Sequence, residues 1–405
     1  MDGASIIEQL MTGEGRADPY PLYARAHGLG AAATAGPGTV LAIGHAAASQ
    51  VLRNPAFALE DTETLLLSDP LLARHSSVTL LGRSILQRNA PDHGRVRSLI
   101  ASAFNARRVA ALRPAVVAAT GRLLEGMAES GADGSPVDFM DAFAFRLPVE
   151  VICELLGVPG PDRFRFRGLA GDLTIALELV QDLDELTAAD EAADELSDYF
   201  TELVAQRLAH PRDDLVSDLA RTAADAPGRI SGAELLANLV LLLVAGFETT
   251  TNLLGNGLAL LFRHPAVMDG LRTGSVAPAL LTDEVLRHDS PVQLTVRVAA
   301  AEGLAVGGVP TPPGTVVVVL LGAANHDPAR YDRPELFDPG RTDSQPLSFG
   351  GGPHYCLGSQ LARLEAEVAV PALLDRFPRL APGGVSTRRD RLVLRGYETL
   401  PVTVR

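Results

Sequence analysis

Phe349-Gly350-Gly351-Gly352-Pro353-His354-Tyr355-Cys356-Leu357-Gly358 carries one of only two cysteines in a chain of 405 residues. Its glycines and proline force an irregular loop. Beyond Cys356 the pattern turns helical, with Leu357, Leu361, Leu364 and Val368 at helical spacing. A thiol is therefore held on a rigid loop at a helix N-terminus, where backbone N–H groups and the helix dipole favour a thiolate. A single thiolate with no neighbouring cysteine builds neither a tetrahedral zinc site nor an iron–sulfur cluster. It suits a metal that takes one protein ligand, and haem iron is such a metal. By itself, however, a lone cysteine is more often a small buried hydrophobe. Cys153, in Val151-Ile152-Cys153-Glu154-Leu155-Leu156, fits that description and is expected in the core.

Composition narrows the classes. The chain is 47% hydrophobic and 21% charged, enough for a large core and far from a disordered composition. Length alone would allow more than one domain. No linker, long charge block or repeat divides the chain, so one domain over residues 1–405 is expected. Two cysteines give no disulfide framework, which points to a reducing, cytoplasmic setting. Met1-Asp2-Gly3-Ala4-Ser5 lacks the basic-then-apolar pattern of a signal peptide. The most apolar run, Leu235 to Phe247, falls short of the ~20 residues a bilayer span needs, so no membrane is expected. A net charge of −14 argues against a general nucleic-acid binder. The sequence has no Walker loop, G-x-S-x-G elbow or H-E-x-x-H pair.

Periodicity predicts helices over Pro21–Ala26, Ala46–Leu52, Gly94–Phe104, Val109–Ser130, Pro148–Leu156, Asp162–Ala170, Asp190–Ala209, Gly232–Phe262, Ala279–Arg287 and Leu357–Arg376. Strands are expected at Thr39–Ile43, Val292–Ala299, Thr315–Leu321 and Arg391–Arg395. Pro371 should kink or end the last helix, because an interior proline costs about 3 kcal/mol. Within Gly232–Phe262, the polar Glu248-Thr249-Thr250 interrupts an apolar helix, a violation of local pattern that tends to mark function.

The ten residues around Cys356 resemble the haem-thiolate signature of the cytochrome P450 family, with Phe349, Gly350, Gly352, His354, Cys356 and Gly358 at its fixed positions. Ala245-Gly246-Phe247-Glu248-Thr249-Thr250 resembles that family's oxygen-activation segment. There, small Ala245 and Gly246 would leave room for dioxygen. The Thr249 hydroxyl would bond the Ala245 carbonyl and loosen the helix locally. Glu248 would relay protons. Glu284 and Arg287 share a helix face, and with Arg341 they resemble the family's Glu-Arg-Arg network, which anchors the loop before the cysteine. A bare pair of this spacing is ordinarily a surface ion pair contributing ~0–1 kcal/mol. His93, Arg97, Arg297 and His354 occupy positions that serve the two haem propionates in the family. Asn325-His326-Asp327-Pro328 and Phe104-Asn105-Ala106-Arg107-Arg108 look like further family segments.

The resemblance spans about residues 18–405 and implies a mainly α fold with a small β region. It implies one b-type haem bound through Cys356, dioxygen as cosubstrate and monooxygenation of a small molecule. Electrons would come from NAD(P)H through a ferredoxin and its reductase, with the protein a monomer. Family position places the pocket walls at about Leu59–Arg83, Leu169–Leu186, Leu241–Thr249, Val292–Thr295 and Leu394–Tyr397. These are mostly aliphatic, which suits a bulky secondary metabolite. Asp182-Leu183-Asp184-Glu185 either favours an amine-bearing substrate or is a solvated helix end. Arg95, Arg107, Arg108 and Arg363 are expected to form a basic docking patch for the electron donor. Three other functions stay open on the residues: a peroxygenase and an oxidative coupling enzyme of the same fold, and a non-catalytic haem-binding helper. An intact Glu248–Thr249 pair argues against the peroxygenase, and retention of Cys356 argues against the helper.

Overall fold

Most of the predicted helices are present, several of them longer than expected; the helix expected over Gly94–Phe104 ends at Ala101 and passes into a 3-10 turn, and Asp162–Ala170 is a 3-10 turn, Gly160–Arg165, followed by the α-helix Phe166–Leu173. Ala106–Ser130, Arg146–Leu156, Thr187–Ala209, Gly232–Arg263 and Pro278–His288 each bury an apolar stripe. The computed structural model describes residues 2–180, 182–226 and 228–404. Gln181, which falls in an expected wall segment, lies outside the described residues, as do Met1, Pro227 and Arg405.

The chain divides into two units, one of Met1–Leu59, Thr120–Ala144 and Thr249–Arg405, the other of Glu60–Ala119 and Phe145–Glu248. The first unit holds a five-stranded sheet in the order Ala32–Thr34, Thr39–Ala42, Val316–Val319, Thr295–Ala299, Phe57–Ala58. Thr39–Ala42 and Val316–Val319 pair in parallel, and the other pairs are antiparallel. Val40, Ala42, Val317 and Val319 pack there with Ala48, Val51 and Leu52 of helix His45–Arg53. The second unit is helical, built around Arg146–Leu156, Phe166–Leu173, Thr187–Ala209 and Leu215–Asp225.

Three further expectations need correction. Arg391–Arg395 forms no strand: only Leu394 bridges Val292, and the strand lies later at Tyr397–Thr399. The cause is Arg395, whose Nε donates to Asp289 Oδ1 at 2.9 Å and whose Nη1 donates to the carbonyls of Arg16 and Ala17. The strand predicted at Thr315–Leu321 stops at Val319, and Leu321–Ala324 is a helical turn. The helix after the cysteine begins at Ser359 rather than Leu357 and runs unbroken through Pro371 to Arg376. Buried Leu364, Ala369, Val370, Leu373 and Leu374 offset the proline's cost. Helix Gly232–Arg263 matches its expected bounds within one residue; by length and composition it could cross a bilayer, but 61% of its apolar window is buried inside the protein.

A buried polar cluster in the first unit sets its acid tolerance. Asp289 accepts from Arg388 Nη2 at 2.7 Å, Arg395 Nε at 2.9 Å and the Tyr20 hydroxyl at 2.9 Å. Burial pushes this carboxyl up, but the two arginines together hold it far below the usual carboxylate range. The Tyr20 ring lies 4.8 Å from His326 and 6.4 Å from His288, centroid to centroid. Burial first, then neighbouring positive charge, depresses His288 to about 3 and His326 to about 4. Arg287 Nη2 lies 3.4 Å from His288 Nδ1, which fits a neutral ring.

Both imidazoles bind protons in the unfolded chain below pH ~6.5 but not in the folded one until far lower. Stability is therefore intact above pH ~6.5 and falls as pH drops toward 4. At pH 5 the two histidines together should remove about 4 kcal/mol. Asp289 adds its own loss only below about pH 4. Urea midpoints measured from pH 8 to pH 5 should fall steeply only below 6.5; a flat midpoint over that range would contradict this reading.

Candidate active site

Cys356 sits on a closed loop. Its N–H donates to the Phe349 carbonyl at 3.0 Å, so residues 349–356 fold back on themselves. Gly350 and Gly352 have φ of +72° and +62°, a region open chiefly to glycine. A side chain at Gly352 would also lie 2.5 Å from the Leu52 carbonyl oxygen. Helix His45–Arg53, which carries Leu52, is capped by Asp327, whose Oδ2 accepts from the His45 N–H at 2.8 Å. The Cys356 thiol is exposed, while Cys153 is buried, and burial pushes the Cys153 thiol up to about 12. The exposed cysteine is the one chemically available.

The loop is anchored from behind, and here the Glu-Arg-Arg expectation holds. Arg287 Nε and Nη2 donate to Glu284 Oε2 and Oε1 at 2.8 and 2.7 Å, with both side chains at most 1% exposed. Arg341 Nε reaches Glu284 Oε1 at 3.4 Å, and the Asp338 N–H donates to the same oxygen at 2.8 Å. Arg287 spends its remaining donors on the carbonyls of Asn325, Pro334 and Leu336. Asn325 carries the connection forward: its Oδ1 accepts from the Leu347 N–H at 2.7 Å and its Nδ2 donates to Ser348 Oγ at 2.9 Å. Ser348 Oγ donates to the Leu286 carbonyl at 2.6 Å. The buried pair is thus tied through Asn325 to the residues immediately before Phe349. Sequence reasoning noted the Asn325 segment without giving it this part; the signal was an asparagine with no turn to make.

Arg297 is the second diagnostic residue of this unit. It lies on strand Thr295–Ala299, is 6% exposed, and donates only to Thr295 Oγ1 at 3.0 Å and the Val296 carbonyl at 2.7 Å. No carboxylate pairs with it among the described residues. Burial lowers its pKa to about 10. A buried cation without an anion is costly and matches a group that brings its own carboxylates, as haem does. His354, in the turn Gly352–His354, is half-buried. Gly358 precedes the helix that starts at Ser359.

The second unit holds His93 and Arg97, one turn apart on helix Asp92–Ala101. Burial first, then the Arg97 cation, lowers the His93 pKa. Helix Gly232–Arg263 runs uninterrupted through the 245–250 segment, so the local loosening expected at Thr249 does not break it. Along it Glu248 is 2% exposed, Ala245 is exposed, and Gly246 and Thr249 are half-buried. A side chain at Gly246 would meet Ile152 Cγ1 at 2.6 Å. Gly246 therefore lets two helices approach, a constraint the sequence reading missed.

Of two softer expectations, one matches a reading already given and the other changes. Asp182 and Glu185 form a capping box on the turn Leu183–Leu186, with the Asp184 N–H donating to Asp182 Oδ1 at 3.0 Å and the Asp182 N–H to Glu185 Oε1 at 3.2 Å. That is the helix-end reading. Nor is the basic patch free charge. Arg95 pairs with Glu234 at 2.6 Å, Arg108 with Asp218 at 3.8 Å and Arg363 with Asp283 at 2.6 Å, while Arg107 is exposed.

The chain belongs to the cytochrome P450 family: the family's profile, described as "Cytochrome P450", matches residues 179–275 and 281–393. It is 41% identical over 316 residues to a Saccharopolyspora erythraea protein named 6-deoxyerythronolide B hydroxylase, covering 77% of this chain and 76% of that one. It is 35% identical over 394 residues to the cytochrome P450 monooxygenase PikC of Streptomyces venezuelae, covering 95% of this chain and 91% of that one. Among solved structures, P450BioI in complex with an acyl carrier protein ligated to hexadec-9Z-enoic acid matches with a TM-score of 0.89 at 31% identity, over 97% of this chain and 100% of that one. The protein is a cytochrome P450 monooxygenase, an oxidoreductase of mainly helical fold with small sheets, and its family works with haem iron and dioxygen.

Glu284→Ala removes the carboxylate shared by buried Arg287 and half-buried Arg341. The variant should lose about 3–5 kcal/mol and purify with little haem. Normal haem content with an unchanged melting temperature would show that the loop needs no such anchor.

Proposed function

We propose that the chain, over residues 1–405, forms one haem domain that inserts one atom of dioxygen into a bulky secondary metabolite. The exposed Cys356 thiol on its closed, anchored loop carries this reading. Arg297 supports it, as a buried cation with no carboxylate partner among the described residues. Haem ligated by Cys356 supplies electron transfer to dioxygen and cleavage of its O–O bond. The protein's own part is to hold and to protonate. Arg297 and His354 are assigned to the propionates. On resemblance, His93 and Arg97 are assigned to haem propionates. Phe349 and Gly358 flank the ligand, and Gly352 keeps the loop close to Leu52.

Thr249 and Glu248 are assigned to proton delivery. Glu248 is buried mid-helix next to a half-buried threonine hydroxyl, with small Ala245 and Gly246 one turn before. With haem bound, the Thr249 hydroxyl would hold and donate a proton, and Glu248 would replenish it. The substrate class follows from the mostly aliphatic character of the expected wall segments and from the relative named 6-deoxyerythronolide B hydroxylase. A ferredoxin and an NAD(P)H-dependent reductase are proposed as electron donors to a cytoplasmic monomer.

Thr249→Ala tests this assignment once a panel of candidate substrates has been titrated against the haem spectrum. The variant should keep haem and substrate binding while diverting most NAD(P)H electrons into hydrogen peroxide. Unchanged coupling of NAD(P)H use to product would overturn the role of Thr249 and favour oxidative coupling or peroxygenase chemistry.

A further inference from the structure

The ring of Phe349 carries a cation that the site description does not use. The guanidinium carbon of Arg363 lies 4.8 Å from the ring centre, within the range of cation–π contact. Arg363 sits on the helix that follows the cysteine, Ser359–Arg376, and its Nη2 donates to Asp283 Oδ1 at 2.6 Å. Asp283 belongs to helix Pro278–His288, which also carries Glu284 and Arg287. The Phe349 carbonyl accepts the Cys356 N–H at 3.0 Å, and the Phe349 ring meets Tyr355 at 6.4 Å. One ion pair therefore clamps the residue that closes the cysteine loop. The side chains of Arg363 and Asp283 are 29% and 30% exposed, so solvent screens the pair only in part.

We propose that Asp283 and Arg363 are positioning residues that set the electron affinity of the metal bound at Cys356, Arg363 as the positive end of their ion pair, stacked on Phe349, and Asp283 as its negative end. The proposal rests on the assignment of Cys356 as haem ligand. The pair is a dipole whose positive end lies against the ring of Phe349, the residue whose carbonyl accepts the Cys356 N–H. Positive charge there stabilises the reduced metal, which carries one electron more. Glu284 and Arg287 hold the residues before the loop through Asn325. Asp283 and Arg363 hold its leading aromatic ring and add a field of fixed sign.

Potentiometric titration of the holoprotein tests this with variants of opposite charge effect. Arg363→Gln leaves the carboxylate alone and should shift the redox equilibrium toward the oxidised form by about three- to tenfold, where tenfold corresponds to about 59 mV for one electron. Asp283→Asn leaves the cation alone and should shift it toward the reduced form. Arg363→Lys keeps the charge and should restore most of the wild-type potential. Shifts of the same sign in the Gln and Asn variants would overturn the proposal in favour of simple loop damage. Unchanged potentials with an altered salt dependence of reduction by ferredoxin would overturn it in favour of a surface docking role. A wild-type protein without the thiolate-type spectrum of the reduced carbon monoxide complex would sink the ligation assignment itself, a result readable apart from the other two.

Discussion

The bidentate bond between Glu284 and Arg287 is the constraint on which the cysteine loop depends. Both side chains are buried, and two charges taken out of water are favourable only when geometry and hydrogen bonding are nearly complete. Here they are. Glu284 also accepts from Asp338 and Arg341, and Arg287 also donates to three carbonyls. Those carbonyls belong to Asn325, Pro334 and Leu336, so the pair fixes the backbone of an otherwise irregular stretch. Asn325 then hands that rigidity to Leu347 and Ser348. A loop rich in glycine is entropically costly to order, and this network is what orders it.

The loop in turn restricts its own sequence. Gly352 is required twice, by its positive φ and by the nearness of Leu52. The position of Leu52 depends on helix His45–Arg53, capped by Asp327 from the same segment that supplies Asn325. The segment 325–327 thus serves both sides of the loop. A comparable economy holds at Gly246, where missing side-chain volume admits Ile152 and leaves Glu248 buried in the same helix.

Much of this was legible in the chain because the decisive residues are conspicuous. A cysteine among glycines and an acid inside an apolar helix break local pattern, and such breaks need no tertiary information to be seen. Long amphipathic helices were legible for the same reason, their period being local. What stayed hidden depends on partners distant in sequence. Nothing local tells that Arg363 stacks on Phe349, that Arg297 has no carboxylate partner among the described residues, or that Arg95 pairs with Glu234. Pro371 misled because its helix cost is local while the compensating burial is not. Arg391–Arg395 misled because alternating apolar residues read as a strand, while Arg395 is drawn into the Asp289 cluster. Helix Leu215–Asp225 was overlooked although its cap is written locally, as Asp214 accepting from the Ser217 N–H.

The central claim is that one anchored thiolate, Cys356, holds the iron. It is tested most directly by iron K-edge X-ray absorption on the purified holoprotein, with Cys356→Ala and Cys153→Ala beside it. The account predicts a single sulfur neighbour to iron in the wild type and in Cys153→Ala, and nitrogen or oxygen neighbours only in Cys356→Ala. A sulfur neighbour that survives in Cys356→Ala, or one missing from the wild type, would contradict it.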